Sequence, residues 1–395
     1  MTRLTEKRRR HTPRSKAFRP SKNWKKTNNT RQKRAEKSDS MTENKKVKVG
    51  IIGATGYAGA ELYRLLASHR YAEVAAVSST SFEGQTLESV YPALTTQKEH
   101  VLGNMDSVVE ASDGFFAALP HGLSEELAVS CDKAGKVLID LGADFRLTEE
   151  ADYTKWYGLP FKYPALHKKA LYCLPEINRE SIPNVDIIAN PGCYPTSIAL
   201  GLMPALKMKL CDASNGIILD SKSGVTGAGR GLSQNTHFPD SHYPELNEGM
   251  SAYKVACHRH TPEIEQTLSL LYGEKVNVTF VPHLLPVNRG ILSTIYVKAA
   301  DGVTLEKLHE AYTDFYKNEK FVRVMPFGKF ANIKNVHYSN YCDISLHFDE
   351  HTSTAVITSV IDNMVKGAAG QAIQNMNIRF GLPEDEGISM LPPSF

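Results

Sequence analysis

The chain has 395 residues, 42% apolar and 23% charged, with a formal net charge of +3. At about 150 residues per domain, this length implies two or three domains with sizeable cores. No apolar run reaches the roughly 20 residues of a membrane-spanning helix. No apolar N-terminal stretch suggests a secretory signal. The six cysteines, at 131, 173, 193, 211, 257 and 342, are dispersed and form no C-x-x-C pair. These features exclude a disulfide scaffold and a helical membrane protein, and they point to free thiols in a reducing cytoplasm.

The charge is unevenly spread. Residues 1–40 hold 15 Lys and Arg against Glu6, Glu36 and Asp39, a local charge of +12, which leaves −9 for residues 41–395. The basic head (1–46) lacks periodic apolar positions and is expected to be disordered. Three readings of it stand: a leader ahead of a true start at Met41, a solvated tail with loose nucleic-acid affinity, or an organelle transit peptide. The missing amphipathic pattern counts against the last, and nucleic acid is not expected as a partner.

Past the head, "VKVGII" (47–52) is a short β-branched run that reads as a buried strand. "GATGYAG" (53–59) follows, and then "AELYRLLASHR", with Leu62, Leu65 and Leu66 at helical spacing and cations at the end. Further strands are expected at 73–79, 114–120, 136–142 and 185–191, with helices between several of them, as around 123–134. Alternating strands and helices imply a Rossmann-like parallel sheet with right-handed crossovers over 47–192. From 193 to 362 the strands at 216–225, 276–287, 290–300 and 353–362 have longer connections and few intervening helices. That pattern suits an α+β domain with a mostly antiparallel sheet, for catalysis and dimerisation. Residues 363–382 read as a helix with a Gly/Ala face, stopped by Gly381, and the segment 363–395 is expected to return to the nucleotide domain.

Gly53, Gly56 and Gly59 follow a G-x-x-G-x-x-G spacing between a strand and a helix. Glycine permits the tight turn and the close approach of a pyrophosphate to the helix N-terminus. An NAD-preferring fold places a carboxylate about 20 residues further on, but here the chain reads "VSSTS" (77–81). Hydroxyls tolerate a 2′-phosphate that a carboxylate would repel, so NADP is the expected cofactor. No Arg lies in that loop, so Arg64 or another basic side chain must come from elsewhere.

"NPGCYPTSIAL" (190–200) sets Cys193 between a Pro-Gly turn and an apolar helix start. A thiol at a helix N-terminus is expected to have a lowered pKa. Gly192 would admit a substrate, and neighbouring N–H groups could hold an oxyanion. Position alone leaves nucleophile and buried structural cysteine equally open. "CHRHTPEIE" (257–265) supplies His258 and His260, ahead of a helix with Thr261 as its expected N-cap. No zinc-ligand spacing occurs, so no metal is expected. His121, His237, His242 and His283 stand in less telling contexts.

"GIIGATGYAGAEL", "ANPGCYPTSIALGLMPAL", "SGVTGAGR", "HRHTPEIEQ", "PHLLPVNRGIL" and "NMVKGAAGQAIQNM" together span residues 47 to about 385. On these motifs the chain resembles the N-acetyl-γ-glutamyl-phosphate reductases of arginine biosynthesis, and more broadly the aspartate-semialdehyde dehydrogenases. The resemblance implies reduction of an acyl phosphate by NADPH through a thioester on Cys193, with His260 as acid/base and His258 as a substrate contact, although which histidine does which is left open. It implies that Gly53, Thr55, Gly56, Tyr57, Gly59, Ser78, Ser79 and Ser81 hold NADP. It places Ser223, Gly224 and Asn363 near the nicotinamide half. Arg146 and Arg230 become candidate anchors for the substrate carboxylate or phosphate, with a structural ion pair as the alternative for each. Ser197 departs from the smaller residue usual in the family and is expected to be tolerated. A homo-oligomer, dimer or tetramer, is expected. The close rivals are an aminoadipyl-phosphate reductase or an aspartate-semialdehyde dehydrogenase, since one methylene changes binding by only about 1–3 kcal/mol. A distant rival is a non-catalytic NADP-binding regulator that contacts nucleic acid through the basic head.

Overall fold

The structure, a computed structural model, describes residues 46–95, 99–214, 216–230 and 249–394. The basic head and the candidates His237 and His242 lie outside the described residues. Among the described residues two sheets form. The first contains β1 (Val47–Ile52), β2 (Ala72–Ser78), β3 (Leu102–Gly103), β4 (Gly114–Ala117), β5 (Val137–Asp140), β6 (Ala170–Tyr172) and β7 (Ile187–Ala189), in the order β3-β2-β1-β4-β5-β7-β6. All of its pairings are parallel. Ile51, Phe116 and Ile139 enter one apolar cluster, and their neighbours Ile52, Phe115 and Leu138 enter another. Both faces are therefore buried, which is why these strands read as continuous apolar runs rather than alternating ones.

Helix α1 (Tyr57–Leu66) follows β1, and α2 (Ser124–Ala134) follows β4. Strand order reverses between β1 and β4, so a crevice opens there beyond the carboxyl ends of the strands, the usual ligand position in such sheets. The loops after β1, β4, β5 and β7 converge on it.

The second sheet contains β8 (Cys211–Asp212), β9 (Ile217–Ser223), β10 (Ser251–Ala252), β11 (Val278–Leu284), β12 (Ile291–Ala299), β13 (Val322–Val324), β14 (Cys342–Asp349) and β15 (Thr354–Ile361). Its order is β10-β11-β9-β12-β15-β14-β13, with β8 beside β12. The β9–β12, β12–β15 and β14–β15 pairs are antiparallel, whereas β9–β11 and β13–β14 are parallel. Strand β14 alternates Cys342, Ile344, Leu346 and Phe348 with polar residues, a period-2 signal that the sequence reading passed over. Three helices cover one face of this sheet: α3 (Cys193–Lys207), α4 (Thr261–Tyr272) and α5 (Leu305–Tyr316). This is more helix than the sequence reading expected of the second half. On the other face Ile218 and Tyr296 remain exposed.

Ser197 is fully buried in α3, and its hydroxyl bonds Ser293 Oγ at 2.7 Å and the Tyr194 carbonyl at 3.1 Å. The hydroxyl is tolerated because it is satisfied.

The expected helix over 363–382 divides in two. Val365–Ala369 is a π-helical turn, and α6 (Gly370–Arg379) continues it. Gly367 N–H bonds the Asp362 carbonyl, and Ala369 N–H bonds that of Met364. Gly381 then takes a φ of +68°, the left-handed geometry of a helix stop. Val365, Ala372, Ile373 and Met376 pack in the same cluster as Leu62 and Leu65 of α1. No described helix is long and apolar enough to cross a membrane.

Candidate active site

Gly53 adopts a φ of +79°, and its N–H and that of Ala54 bond the Ser78 carbonyl at 3.1 and 2.9 Å. A Cβ at Gly59 would lie 2.3 Å from the Gly53 carbonyl oxygen, so only glycine lets α1 start this close to the turn. Helix α1 begins at Tyr57 behind Gly56, with no side-chain cap and no acid in its first turn. Such an N-terminus suits a pyrophosphate, and the residues present fit a dinucleotide. Thr55 Oγ1 and Ser79 Oγ bond at 2.7 Å, tying the glycine loop to the end of β2. Ser78 and Ser79 are thus buried supports of the loop, and Ser81 is exposed beyond them. Arg64 is held by Glu61, which also grips Arg289. A cleft of about 400 Å³ opens beside this loop between Tyr57, Tyr91, Thr226 and Arg289.

Ser223 and Gly224 lie at the end of β9. Asn363 Oδ1 accepts the Gly290 N–H at 2.8 Å, and its Nδ2 donates to Thr226 Oγ1 at 3.0 Å. These residues form one corner in which a Cβ on Gly224 would meet the Asn288–Arg289 backbone at 2.7 Å.

Cys193 is the first residue of α3 and is partly accessible. The loop before it is fixed from three sides. Arg146 Nε donates to the Asn190 carbonyl at 2.9 Å, the Gly192 N–H donates to Glu263 Oε1 at 2.7 Å, and Asn190 Nδ2 donates to the Ala368 carbonyl at 3.2 Å. Arg146 also bonds the Leu141 carbonyl and meets Glu263 Oε2 at 3.3 Å. It is a buried ion-paired strut beneath the site, and Glu263, which sequence reasoning missed, is its partner. The i+3 spacing from His260 was the available signal: both residues belong to one turn at the start of α4. Helix α4 starts at Thr261, so the N-cap is His260, one residue earlier than expected, and no side chain caps it.

His260 faces the cysteine loop. A Cβ on Gly192 would lie 2.7 Å from His260 Nε2 and 2.9 Å from Arg146 Nη1. Gly192 is therefore required for room beside these two side chains, and its N–H is committed to Glu263 rather than free for an oxyanion. His260 Nδ1 is buried without a described partner. The His260 N–H donates to His258 Nδ1 at 3.0 Å, which fixes the His258 ring. Lys254 and Ala256 hold φ values of 45° and 55°, and such strain clusters at functional sites. Arg259 reaches across to His121 after β4 at 3.1 Å and is a second cation missed in the sequence.

Burial pushes the Cys193 thiol up to about 11, against the pull of the Tyr194 N–H and of Arg146. This reverses the expected lowering: desolvation of the thiolate outweighs the field of the helix N-terminus. Burial, with Arg146 and Arg259 nearby, holds the His260 imidazole well below its ordinary range. Burial and the neighbouring His260 take His258 down to about 2. The resting pair is thus neutral thiol and neutral imidazole.

Gly367, on the π-helical turn, backs the cysteine. A Cβ there would lie 2.8 Å from Cys193 Cβ and 3.2 Å from its Cα. The turn is pinned by Lys366, whose Nζ meets Glu176 Oε1 at 2.7 Å and Gln374 Oε1 at 2.8 Å in full burial. Gly367→Ala is expected to displace the thiol and lower kcat by about 10- to 100-fold, with NADPH binding retained. Steady-state kinetics beside an NADPH titration checks this, and an unchanged kcat would contradict it.

Arg230 does not join Arg146. Its described contacts are with the nucleotide loop: Nη1 donates to the Thr55 carbonyl at 3.1 Å, and the guanidinium lies 4.8 Å from the Phe82 ring centroid.

A glycine-loop parallel sheet facing a cysteine–histidine corner on a second sheet defines an NAD(P)-binding oxidoreductase of the semialdehyde dehydrogenase kind. Residues 48–185 match the family profile described as semialdehyde dehydrogenase, NAD binding domain, and residues 193–363 match semialdehyde dehydrogenase, dimerisation domain. The chain belongs to this family, and within it to the N-acetyl-γ-glutamyl-phosphate reductases. The protein of that name from Clostridium beijerinckii is 56% identical over 349 residues, covering 88% of this chain and 100% of the relative. The one from Brachyspira hyodysenteriae is 55% identical over 357 residues, with the same coverage. In structure the chain is similar to aspartate semialdehyde dehydrogenase II of Vibrio cholerae, with a TM-score of 0.66, 18% identity, and coverage of 86% of this chain and 99% of that one. The Candida albicans aspartate semialdehyde dehydrogenase with NADP gives 0.61 at 14% identity, covering 85% of this chain and 98% of that one. These two structures bear on the fold alone.

Proposed function

We propose that this chain reduces N-acetyl-γ-glutamyl phosphate to N-acetylglutamate 5-semialdehyde in arginine biosynthesis, with Cys193 as nucleophile and His260 as acid/base. The observation that carries the residue assignment is His260 Nε2 against Gly192, at the foot of the cysteine helix. Cys193 gives its proton to His260 as the sulfur attacks the acyl carbon. The C–O bond to phosphate breaks, the proton follows the departing phosphate, and a thioester remains on Cys193. NADPH, held by Gly53, Thr55, Gly56, Tyr57 and Gly59, supplies the hydride that reduces this thioester when bound. Hydride addition leaves an oxyanion on the carbon bound to sulfur. As it collapses to the aldehyde the C–S bond breaks, and the departing thiolate takes a proton from solvent by way of His260, which restores the thiol. A neutral imidazole suits this shuttle, because it is free to accept the thiol proton at the moment of attack.

Arg259, beside His121, and His258, packed against Tyr194 and His260, are the candidate contacts for substrate. Arg146 stands behind the cysteine loop as a positioning residue. We read residues 47–192 as the NADP-binding domain, 193–362 as the catalytic and dimerisation domain, and 363–395 as a return segment to the first. The uncovered face of the second sheet, with Ile218 and Tyr296 exposed, supports assembly as a homo-oligomer. The test is phosphate-dependent reduction of NADP by the purified protein with N-acetylglutamate semialdehyde, compared with its one-carbon-longer homologue and with aspartate semialdehyde. A kcat/KM higher for either alternative would reassign the substrate.

A further inference from the structure

The fold leaves a cation at the nucleotide loop that the catalytic scheme does not use. Arg230 follows β9, in the connections of the second sheet, yet it docks on the first. Gly229 before it has a φ of +82°, a backbone that favours glycine, and this turns the chain toward the loop. The guanidinium lies 4.8 Å from the Phe82 centroid and 5.4 Å from that of Tyr91, rings that flank the loop after β2. Its Nη1 donates to the Thr55 carbonyl, which also accepts from Tyr91 Oη at 2.9 Å. Among the described residues it pairs with no carboxylate. The end of β2, where a carboxylate would read ribose hydroxyls, is Ser78-Ser79-Thr80-Ser81. Thr80 and Ser81 are exposed there, and Thr55 bonds Ser79. A half-buried, ring-stacked arginine with spare N–H donors thus stands beside hydroxyls where the adenosine ribose of a bound dinucleotide would lie.

We infer that Arg230 reads the 2′-phosphate of NADP, so that the residue discriminating NADP from NAD is carried by the second lobe rather than by the β2 loop. The inference rests on the NADP reading above and deepens it. Stacking on Phe82 and Tyr91 orders the guanidinium before binding, and its planar fork suits two phosphate oxygens. Arg64, the other nearby cation, is already engaged by Glu61.

The test uses the whole chain and direct binding. NADPH and NADH are titrated by calorimetry, with adenosine 2′,5′-bisphosphate and AMP as probes for the 2′-phosphate alone. Arg230→Ala is expected to weaken NADPH and the bisphosphate by about 10- to 100-fold, leaving NADH and AMP nearly unchanged. Arg230→Lys, which keeps the charge but loses the fork, is expected to fall between. Arg230→Ala binding NADPH like the parent, or losing NADH and NADPH equally, would overturn the inference; the second result marks a purely structural tie to Thr55. Should Arg230→Ala fail to fold, the Arg230→Lys and Arg230→Gln pair decides it, because only phosphate recognition makes lysine the better NADPH binder with NADH unmoved. A parent chain that binds NADH as tightly as NADPH would instead sink the NADP reading itself, whatever the variants do.

Discussion

Cys193→Ala is expected to lower the reductase rate by about four orders of magnitude or more while NADPH still binds. In the proposed scheme the sulfur is the atom that carries the acyl group, and no described neighbour offers a substitute nucleophile. The other five cysteines do not share its position at the mouth of a helix facing a histidine; Cys131, Cys173, Cys211 and Cys342 are buried and Cys257 lies on the exposed loop before His258. The free protein also gives a pH signature. With the Cys193 thiol pushed up to about 11 by burial, only a small thiolate fraction exists at neutral pH. Alkylation of Cys193 by iodoacetamide is expected to rise by about tenfold per pH unit from neutrality upward, with no plateau below pH 9. Mass spectrometry of the modified peptide reads this rate residue by residue, apart from Cys257. A plateau near neutrality would mean a preformed thiolate and would remove the need for a base. Near-parental turnover by the alanine variant would exclude the covalent route.

His260→Asn should cost about 10²- to 10⁴-fold in kcat/KM, second only to the loss of the sulfur. A high thiol pKa makes the base indispensable, since the proton must leave as the carbon–sulfur bond forms. Burial holds His260 well below its ordinary value of 6.5, so the imidazole stays neutral through the physiological range. In the free parent enzyme the acidic limb of kcat/KM is therefore expected well below pH 6.5, because activity is lost only when His260 takes a proton before the thiol offers one. His258→Asn should cost less, as its ring nitrogen is already occupied by the His260 N–H. A larger loss from His258 than from His260, with both variants folded, would exchange their roles.

Much of this architecture was legible along the chain. The parallel strands announced themselves because both faces of that sheet are buried, so 49–52 and 114–117 are apolar without interruption. Gly53 and Gly59 were readable because the turn admits no Cβ there: Gly53 has a φ of +79°, and a Cβ on Gly59 would lie 2.3 Å from the Gly53 carbonyl oxygen. Cys193 and the His258–His260 pair were readable as candidates because few residue types can do acyl-transfer chemistry. Strand β14 was equally legible from its alternation of Cys342, Ile344, Leu346 and Phe348, and only its polar positions disguised it.

Proximity across the fold was decided by tertiary structure alone. Glu263 looks like an ordinary first-turn helix acid until the Gly192 N–H and Arg146 arrive from the other sheet. Gly367 looks like part of a small-residue stripe until Cys193 stands 2.8 Å from where its Cβ would be. The thiol's proton affinity was misjudged for the same reason: a helix N-terminus is a local feature that sequence displays, whereas desolvation depends on what the rest of the chain packs around the sulfur. Arg230, 175 residues from Thr55 along the chain, found the nucleotide loop only through folding. Local backbone geometry and residue chemistry are written in short windows of sequence; burial, charge pairing and long-range contact are set by every segment that closes around a site.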